Sequence, residues 1–190
     1  GDAGGALPPA GRKVDAALGG NMMKYKWMIN KKSFLYSQPA LIYLDQDLDA
    51  YASLVPPLDA AQRAAGRDGA PHRVATGTVV DVWIPNPTRM WHPLHLHGNQ
   101  FEVIDVGPSG SCGVPPMGKM LMHGCAQHVA YADAVARAPP GRRLLQDSIG
   151  VPALGWVLVR FRADNPGAWF FHCHIDYHLA VGMATAFLVG

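Results

Sequence analysis

The amino-acid sequence predicts an all-β domain, built as a Greek-key β-sandwich or barrel. Short segments of alternating or continuous apolar residues recur along the chain, and turn signals containing Pro or Gly separate them. The 190 residues are enough for one large or two small domains. A net charge of +2 gives no support for binding to nucleic acid or to an anionic membrane. No apolar run has the length of a transmembrane helix, so we expect no membrane span in this segment.

The elements follow in chain order. Residues 1–20 are rich in Gly, Ala and Pro without periodicity, which predicts a linker or flexible tail before a domain over 21–190. Within that domain Asn165-Pro166-Gly167 predicts a turn that closes a hairpin, because Pro presets the first central φ and Gly permits a positive one. Alternation or β-branched content predicts strands at 25–29, 78–84, 100–106, 156–162 and 184–189.

Two stretches are less regular. Residues 44–71 contain acidic and Ala-rich patches that indicate a loop with a short helix. Residues 107–146 form a segment longer than compact domains usually contain between elements, which predicts an insertion. Met, His and Cys crowd together in this insertion, where packing is the favoured interpretation and a Cu(I) site the alternative: Met117, Met120, Met122, His123, Cys125 and His128.

The strongest chemical signal is the sequence FHCHIDYHLA at residues 171–180, followed by Met183. Successive side chains of an extended strand point to opposite faces, so His172 and His174 share one face and Cys173 takes the other. Cys173 is followed at intervals of five by His178 and Met183. Two His, one Cys thiolate and a weak axial Met are the ligands of a mononuclear blue-copper site. One segment therefore has the residues to join two metal centres.

The second His of the mononuclear site is expected in the sequence WHPLHLHG at residues 91–98. His92 precedes a proline and is the natural candidate. His95 and His97 share a face if this segment is extended, and they would join the His172–His174 pair in an imidazole-rich centre. A lone His is usually a hydrogen-bonded core residue, but six of the nine histidines lie in these two motifs. A zinc site would not explain the Met or the second His group.

HPLHLHG followed by HCHIDYHLAVGM resembles the two C-terminal copper motifs of the multicopper oxidases, the family of laccases, ascorbate oxidases and ferroxidases. YKWMIN at residues 25–30 and ADNPGAWFFH at 163–172 also resemble that family's last domain. The resemblance implies a cupredoxin fold, copper at type 1, type 2 and type 3 sites, and an extracellular or periplasmic location. It further implies coupling of one-electron oxidation of a reductant to four-electron reduction of dioxygen to water.

The resemblance also implies a role for each matching residue. Cys173 takes the electron and its neighbours His172 and His174 deliver it. Asp176 relays protons or, as the alternative, caps the turn before His178 or holds a ligand His by its second ring nitrogen. The family's trinuclear cluster takes eight histidines, and two further His-x-His pairs are not in this sequence. We therefore expect N-terminal cupredoxin domains of the same protein, or of a neighbouring subunit, to complete it. The implied ligands are His92, Cys173, His178 and Met183 for type 1 copper, His95 for type 2, and His97, His172 and His174 for type 3.

Several alternatives remain open at the level of sequence. The reductant is a phenol or aromatic amine if the protein is laccase-like, and a ferrous or cuprous ion if it is a metal oxidase; Asp45, Asp47 and Asp49 are acidic candidates for an ion, although a solvated turn is their favoured role. A non-catalytic electron carrier would need only the type 1 ligands. A copper nitrite reductase, which is also built of cupredoxins, is a third alternative. Its resemblance fails, because that family lacks the His-Cys-His triplet and has a longer Cys-to-His spacing. Cys112 and Cys125 either form a disulfide or stay free.

Overall fold

The computed structural model of the chain describes residues 6–21, 26–30, 34, 71–112, 131–138 and 143–190. The predictions for 44–70, for Asp45, Asp47 and Asp49, and for the Met-rich part of the insertion lie outside these residues. The described parts contain twelve strands and two helices: β1 Arg12–Asp15, β2 Leu18–Asn21, β3 Lys26–Ile29, β4 His72–Val74, β5 Val79–Pro85, β6 His92–Leu96, β7 Phe101–Gly107, α1 Tyr131–Arg137, β8 Leu145–Gln146, β9 Ser148–Val151, β10 Trp156–Arg162, β11 Gly167–Cys173, α2 Asp176–Ala180 and β12 Ala184–Val189.

Two five-stranded sheets form the body of the described fold. Their strand orders are β1-β5-β10-β7-β8 and β4-β12-β11-β6-β9, and β2 and β3 make a separate antiparallel pair. Side chains alternate along β10: Val157, Val159 and Phe161 belong to the main apolar core, whereas Arg160 on the other face pairs with Asp81. That core also contains Phe171 and Phe187 from the second sheet, so the two sheets pack face to face. The all-β prediction is confirmed.

The N-terminal segment differs from the predicted linker. Residues 12–15 form β1, which pairs in parallel with β5, and residues 18–21 form β2. Val14, Ala16 and Leu18 are at most 2% exposed and belong to the main core. The Gly- and Ala-rich composition of this segment gives no helical or alternating signal, which is why it predicts a linker. Small residues nevertheless permit close packing, and the segment forms strands.

The predicted hairpin is also wrong. Asn165-Pro166-Gly167 does make a turn with Gly167 at φ 142°, but the strands on either side belong to different sheets. β10 is flanked by β5 and β7, whereas β11 pairs with β12 and β6. The turn therefore carries the chain from one sheet to the other.

The described part of the insertion is packed against the first sheet. Tyr131 of α1 donates a hydrogen bond of 2.7 Å to Asp81, which also accepts two from Arg160, at 2.6 Å and 2.8 Å. Cys112 is disulfide-bonded, and Cys125 lies outside the described residues. Neither of the two described helices is long and apolar enough to cross a membrane.

The second sheet positions the two histidine motifs beside each other. β6 and β11 are antiparallel neighbours, with His172 opposite His95 and Cys173 opposite Leu94. The amide of His174 donates to the carbonyl of Pro93 at 2.7 Å, which extends this pairing past the end of β11. The strand pair therefore directs His92 and Cys173 to the core and the other histidines of the two motifs, apart from His178, to the opposite face.

Candidate metal centre

Three side chains meet inside the sandwich, and we call them the buried triad: His92, Cys173 and His178. Their candidate ligand atoms all lie within 4.8 Å of one another. The Nδ1 atoms of the two imidazoles are 3.2 Å apart, and the Sγ atom of Cys173 lies 3.8 Å and 3.7 Å from them. One thiol sulfur and two imidazole nitrogens thus converge on one point in the core.

Main-chain hydrogen bonds hold the segment that carries these ligands. The amide of Met183 donates to the carbonyl of His178 at 2.8 Å, and the amide of Cys173 donates to the carbonyl of Met183 at 3.0 Å. Met183 is fully buried in the same apolar core as Cys173. The structure therefore places the candidate axial residue next to the Cys through the main chain.

Burial sets the protonation of the metal-free triad. It raises the pKa of the Cys173 thiol to about 11, although a hydrogen bond from the Ile175 main chain has a smaller, lowering effect. Burial lowers the pKa of His92 to about 3, with a smaller effect of His178, whose own pKa is lowered by burial too. A thiol and two neutral imidazoles therefore face one another near neutral pH. A bound cation reverses the effect on the thiol, because a coordinating thiol is deprotonated.

Trp27 of β3 forms a wall against both imidazoles. Its ring centroid lies 4.0 Å from that of His178 and 5.2 Å from that of His92. Gly20 on the paired strand leaves room for the indole, because a Cβ there would lie 2.8 Å from the Trp27 ring. The amide of Trp27 donates to the carbonyl of Val181 at 3.2 Å. The β2–β3 pair thus closes the triad on one side.

Four histidines lie on the opposite face of β6 and β11, and we call them the open imidazole group: His95, His97, His172 and His174. The Nε2 atoms of His97 and His172 are 3.0 Å apart. Ring centroids of His95 and His97 are 4.8 Å apart, and those of His172 and His174 are 5.5 Å apart. His97 and His174 are exposed, so this group opens to the outer surface of the described fold.

Hydrogen bonds fix the tautomer of two members of this group. His95 Nδ1 lies 2.9 Å from the carbonyl oxygen of Asp147, and His172 Nδ1 lies 3.0 Å from that of Cys173. A carbonyl oxygen only accepts, so each Nδ1 carries the proton and each Nε2 keeps its lone pair. Burial lowers the pKa of His172, and partial desolvation of the ring, with smaller effects of His95 and His174, lowers the pKa of His97, which keeps both imidazoles neutral. Both properties suit metal ligation.

Asp176, the candidate proton relay, is exposed at the start of α2. In the described part of the chain no hydrogen bond joins its carboxylate to a ligand histidine. No contact in the described residues therefore supports the alternative role, in which Asp176 holds a ligand histidine. Ile175 occupies the N-cap position and Asp176 is the first residue of the helix, so Asp176 is not its N-cap.

The donor sets of the two groups fit copper. The buried triad offers one thiolate and two imidazoles in an apolar cavity, which is the equatorial set of a blue-copper site. The open imidazole group offers neutral imidazoles, which also suit copper. The structure thus brings residues of the two motifs together at each site, as the alternation along the two strands predicts.

Sequence reasoning missed several residues around the ligands: Trp27, Thr88 and Asp147 contact them, and Asn86 contacts Thr88. The sequence predicts Trp27 only as part of a strand. Asn86-Pro87-Thr88 is a near-match to a glycosylation sequon that the intervening proline disqualifies. A polar Asn-Pro-Thr turn shortly before His92, between two apolar strands, was the available signal for a supporting role.

Comparison with known proteins adds independent evidence. A family model described as multicopper oxidase matches residues 8–190. The chain is 39% identical over 117 residues to Laccase-21 of Oryza sativa subsp. japonica, covering 60% of this chain and 16% of that protein. It is 33% identical over 115 residues to the iron transport multicopper oxidase FET5 of Saccharomyces cerevisiae, covering 58% and 17%. The matched segments thus span about a sixth of the length of these relatives.

Solved structures share the fold. A laccase from Botrytis aclada matches with a TM-score of 0.63 at 22% identity, covering 97% of this chain and 29% of that one. A multicopper oxidase from Campylobacter jejuni, described as a metallo-oxidase, matches with a TM-score of 0.58 at 19% identity, covering 97% and 31%. At these identities the likeness concerns the fold alone, and it confirms the predicted cupredoxin-like architecture.

Proposed function

The chain belongs to the multicopper oxidase family, and we propose that it is the C-terminal cupredoxin domain of a laccase-like oxidase. In this proposal the buried triad with Met183 binds type 1 copper, His95 binds type 2 copper, and His97, His172 and His174 bind the type 3 pair. One observation carries the proposal: at the C-terminal end of β11, the Cys173 side chain lies in the core, and the side chains of His172 and His174 lie on the opposite face of the strand.

Copper, when bound, supplies one-electron oxidation of a reductant at the buried triad and four-electron reduction of dioxygen to water at the outer cluster. The residues of this chain connect the two reactions. Cys173 is covalently joined to His172 and His174, so its thiolate and the adjoining main chain provide a short electron path between the sites. The apolar core and Trp27 exclude water from the triad. His95 and His172 are held through Nδ1, so that each would offer Nε2 to a bound metal.

The cluster is shared with residues outside this chain. Four histidines of the open imidazole group would supply half of the eight ligands that the family uses, and N-terminal cupredoxin domains of the same protein or a neighbouring subunit would supply the rest. The exposure of His97 and His174 supports this arrangement, because it leaves space for further ligands. Asp176, exposed two residues beyond His174, would hold and release the protons that water formation consumes.

The surface next to the triad favours an aromatic reductant. Trp91 and Tyr177, the neighbours in sequence of His92 and His178, are 57% and 53% exposed, and Met90 is 46% exposed. Exposed aromatic side chains of this kind provide faces on which a phenol ring can stack. A metal ion is the second candidate: a carboxylate near His178 would favour ferrous ion, and Asp176, two residues before His178, is exposed. The proposed location is extracellular or periplasmic.

Copper loading of the chain tests the proposal. We expect a blue protein with an intense thiolate-to-copper charge-transfer band, which hydroquinone bleaches under anaerobic conditions. Stopped-flow comparison of hydroquinone with ferrous ion then identifies the reductant class. Faster bleaching by ferrous ion would replace the laccase-like assignment by a ferroxidase one. A colourless copper protein with a purely tetragonal paramagnetic signal would contradict the type 1 site itself.

A second experiment separates the oxidase from a simple electron carrier. In the oxidase completed by its partner domains, His174→Gln is expected to stop dioxygen uptake and to leave bleaching of the blue band by hydroquinone unchanged. Unchanged dioxygen uptake in this variant would show that the open imidazole group does not take part, and the carrier function would then be favoured.

A further inference from the structure

Two polar side chains are buried in the loop that connects β5 to β6. Asn86 is fully buried and Thr88 is 3% exposed, and they lie between the end of β5 and the first residue of β6, His92. Burying polar groups is costly unless each finds a partner, and both of these side chains are fully hydrogen-bonded. The Thr88 hydroxyl lies 2.7 Å from Nε2 of His92, the nitrogen that does not face the triad.

The orientation of the Asn86 amide is fixed by its neighbours. Its Nδ2 atom donates to three main-chain carbonyls, those of Met90, Pro152 and Val151, at 2.8 Å, 2.8 Å and 3.3 Å. Its Oδ1 atom accepts from the amide of Thr88 at 3.0 Å. A flipped amide would place an oxygen against three carbonyls and an NH₂ group against an N–H donor. Oδ1 therefore faces Thr88.

This orientation determines where the Thr88 proton goes. The Thr88 hydroxyl oxygen is 2.6 Å from Asn86 Oδ1 and 3.2 Å from the carbonyl of Met90, and both of these oxygens only accept. The single hydroxyl proton must point to one of them, since two oxygen lone pairs at 2.6 Å would otherwise repel. The hydroxyl oxygen is then left as an acceptor for His92. His92 Nε2 consequently carries the imidazole proton.

We propose that Asn86 and Thr88 are positioning residues that hold His92 as the Nε2-protonated tautomer and so present Nδ1 to the metal. His92 Nδ1 is the atom that lies 3.2 Å from Nδ1 of His178 and 3.8 Å from the sulfur of Cys173. That the metal is copper rests on the function proposed above, whereas the tautomer is a property of the metal-free chain. The other imidazole is supported differently, by stacking of His178 on Trp27.

The tautomer can be measured without metal or substitution. Long-range ¹H–¹⁵N correlation spectra of the ¹⁵N-labelled, metal-free chain distinguish the protonated nitrogen of each imidazole from the unprotonated one. We expect His92 to be protonated at Nε2 alone. A His92 protonated at Nδ1, or an equal mixture of tautomers, would overturn the proposal whether or not the chain later binds copper.

Substitution tests the consequence for the metal. Thr88→Val keeps the shape of the side chain and removes the hydroxyl, so we expect a mixture of tautomers and copper affinity lower by roughly 10–100-fold. Thr88→Ser keeps the hydroxyl and is expected to restore both the tautomer and the affinity. Thr185→Val is the matched control, because Thr185 is a fully buried Thr on β12 whose hydroxyl has no hydrogen-bond partner in the described residues.

The results separate this proposal from the proposed function. A blue wild type whose affinity is unchanged in Thr88→Val, or equally weakened in Thr185→Val, would refute the positioning role and leave the copper site intact. A wild type that shows the Nε2 tautomer but no blue band would refute the copper site and leave the hydrogen-bond assignment standing. Since the first measurement uses the wild type, failure of a variant to fold does not affect it.

Discussion

His92 on the inner side of β6 and His178 on α2 are at most 3% exposed, whereas His97 and His174, directly after β6 and β11 on their outer side, are exposed. Apart from His178, the members of both groups lie on these two strands or directly after them, because alternation sends neighbouring side chains to opposite faces. On the inner side, the chain surrounds its donors with core residues. On the outer side it leaves His97 and His174 accessible, although His172 is only 5% exposed. Ligand identity alone therefore does not distinguish a self-contained site from a shared one, whereas the exposure of His97 and His174 does.

The two groups also differ in what holds their imidazoles. Within the buried triad, His92 is held by the Thr88 hydroxyl and His178 by the Trp27 ring. In the open imidazole group, main-chain carbonyls hold His95 and His172 through Nδ1. The inner ligands thus depend on side chains from other elements, whereas the outer ligands depend mainly on main-chain carbonyls, with the Ser148 hydroxyl also 3.0 Å from His95 Nδ1. We expect substitutions around the two groups to have separable effects.

The largest expected effect is complete loss of the blue colour in Cys173→Ser. A hydroxyl cannot provide the thiolate-to-copper charge transfer, so the absorption band should vanish while the open imidazole group keeps its histidines. His174→Gln is the matched change on the outer face and should leave the band in place. Absorption spectra of the copper-loaded chains decide this. Loss of colour in both variants would mean that the two faces are not independent.

The next largest effect is expected at Gly98, which follows the open group's His97. Gly98 has φ 65°, and a Cβ there would lie 2.1 Å from the Trp169 ring. Gly98→Ala should therefore lower the free energy of unfolding by roughly 2–4 kcal/mol, from overpacking together with left-handed strain. Gly77→Ala is the control, because Gly77 has φ 85° and nothing within 4 Å of the added Cβ.

Urea unfolding of the Gly98 and Gly77 variants separates the two contributions. Backbone strain is common to both, so the difference between them measures the clash with Trp169. Equal destabilisation would show that the indole moves aside at little cost. In that case the end of β6 would be less rigid than its packing indicates.

Much of the candidate site follows from local sequence, because a period of two needs no knowledge of the rest of the fold. The inward Cys173 and outward His174 were predictable for that reason. Features that depend on distant partners were not. The turn at Pro166 has the chemistry of a hairpin, but only the sheet order shows that β10 and β11 lie in different sheets. Likewise Thr88 acquires its role only through the position of His92 Nε2.

A smaller effect is expected at Met183, the proposed axial ligand of the buried triad. A thioether stabilises the oxidised ion more than the reduced one, so Met183→Leu should keep the blue colour and raise the type 1 potential. The expected rise is one to two decades in the redox equilibrium, where a decade is about 59 mV for one electron. Met28→Leu, at a buried Met of β3, is the control. An unchanged or lower potential in redox titration would exclude Met183 as the axial ligand.

The smallest expected effect concerns His72, which is as buried as His92 but belongs to neither group. Neither of its ring nitrogens has a hydrogen-bond partner in the described residues, and its ring lies 5.2 Å from that of Phe187. Burial, and secondarily the charge of Arg12, lower the pKa of His72 to about 3. His72 therefore shows what burial does to an imidazole that no metal is proposed to bind.

The sign of the pH dependence follows from this lowered pKa. The unfolded chain takes up a proton at His72 below about pH 6.5, whereas the folded chain does not until about pH 3. The free energy of unfolding is therefore highest above pH 6.5 as far as His72 is concerned, and it decreases as the pH falls below that value. Relative to His72→Phe, the metal-free wild type should lose up to about 1.4 kcal/mol per pH unit between these values. The other buried histidines are common to both chains and cancel. Chemical unfolding at pH 8, 6 and 5 tests this, and a difference that stays constant with pH would show that His72 binds protons equally in the folded and the unfolded chain.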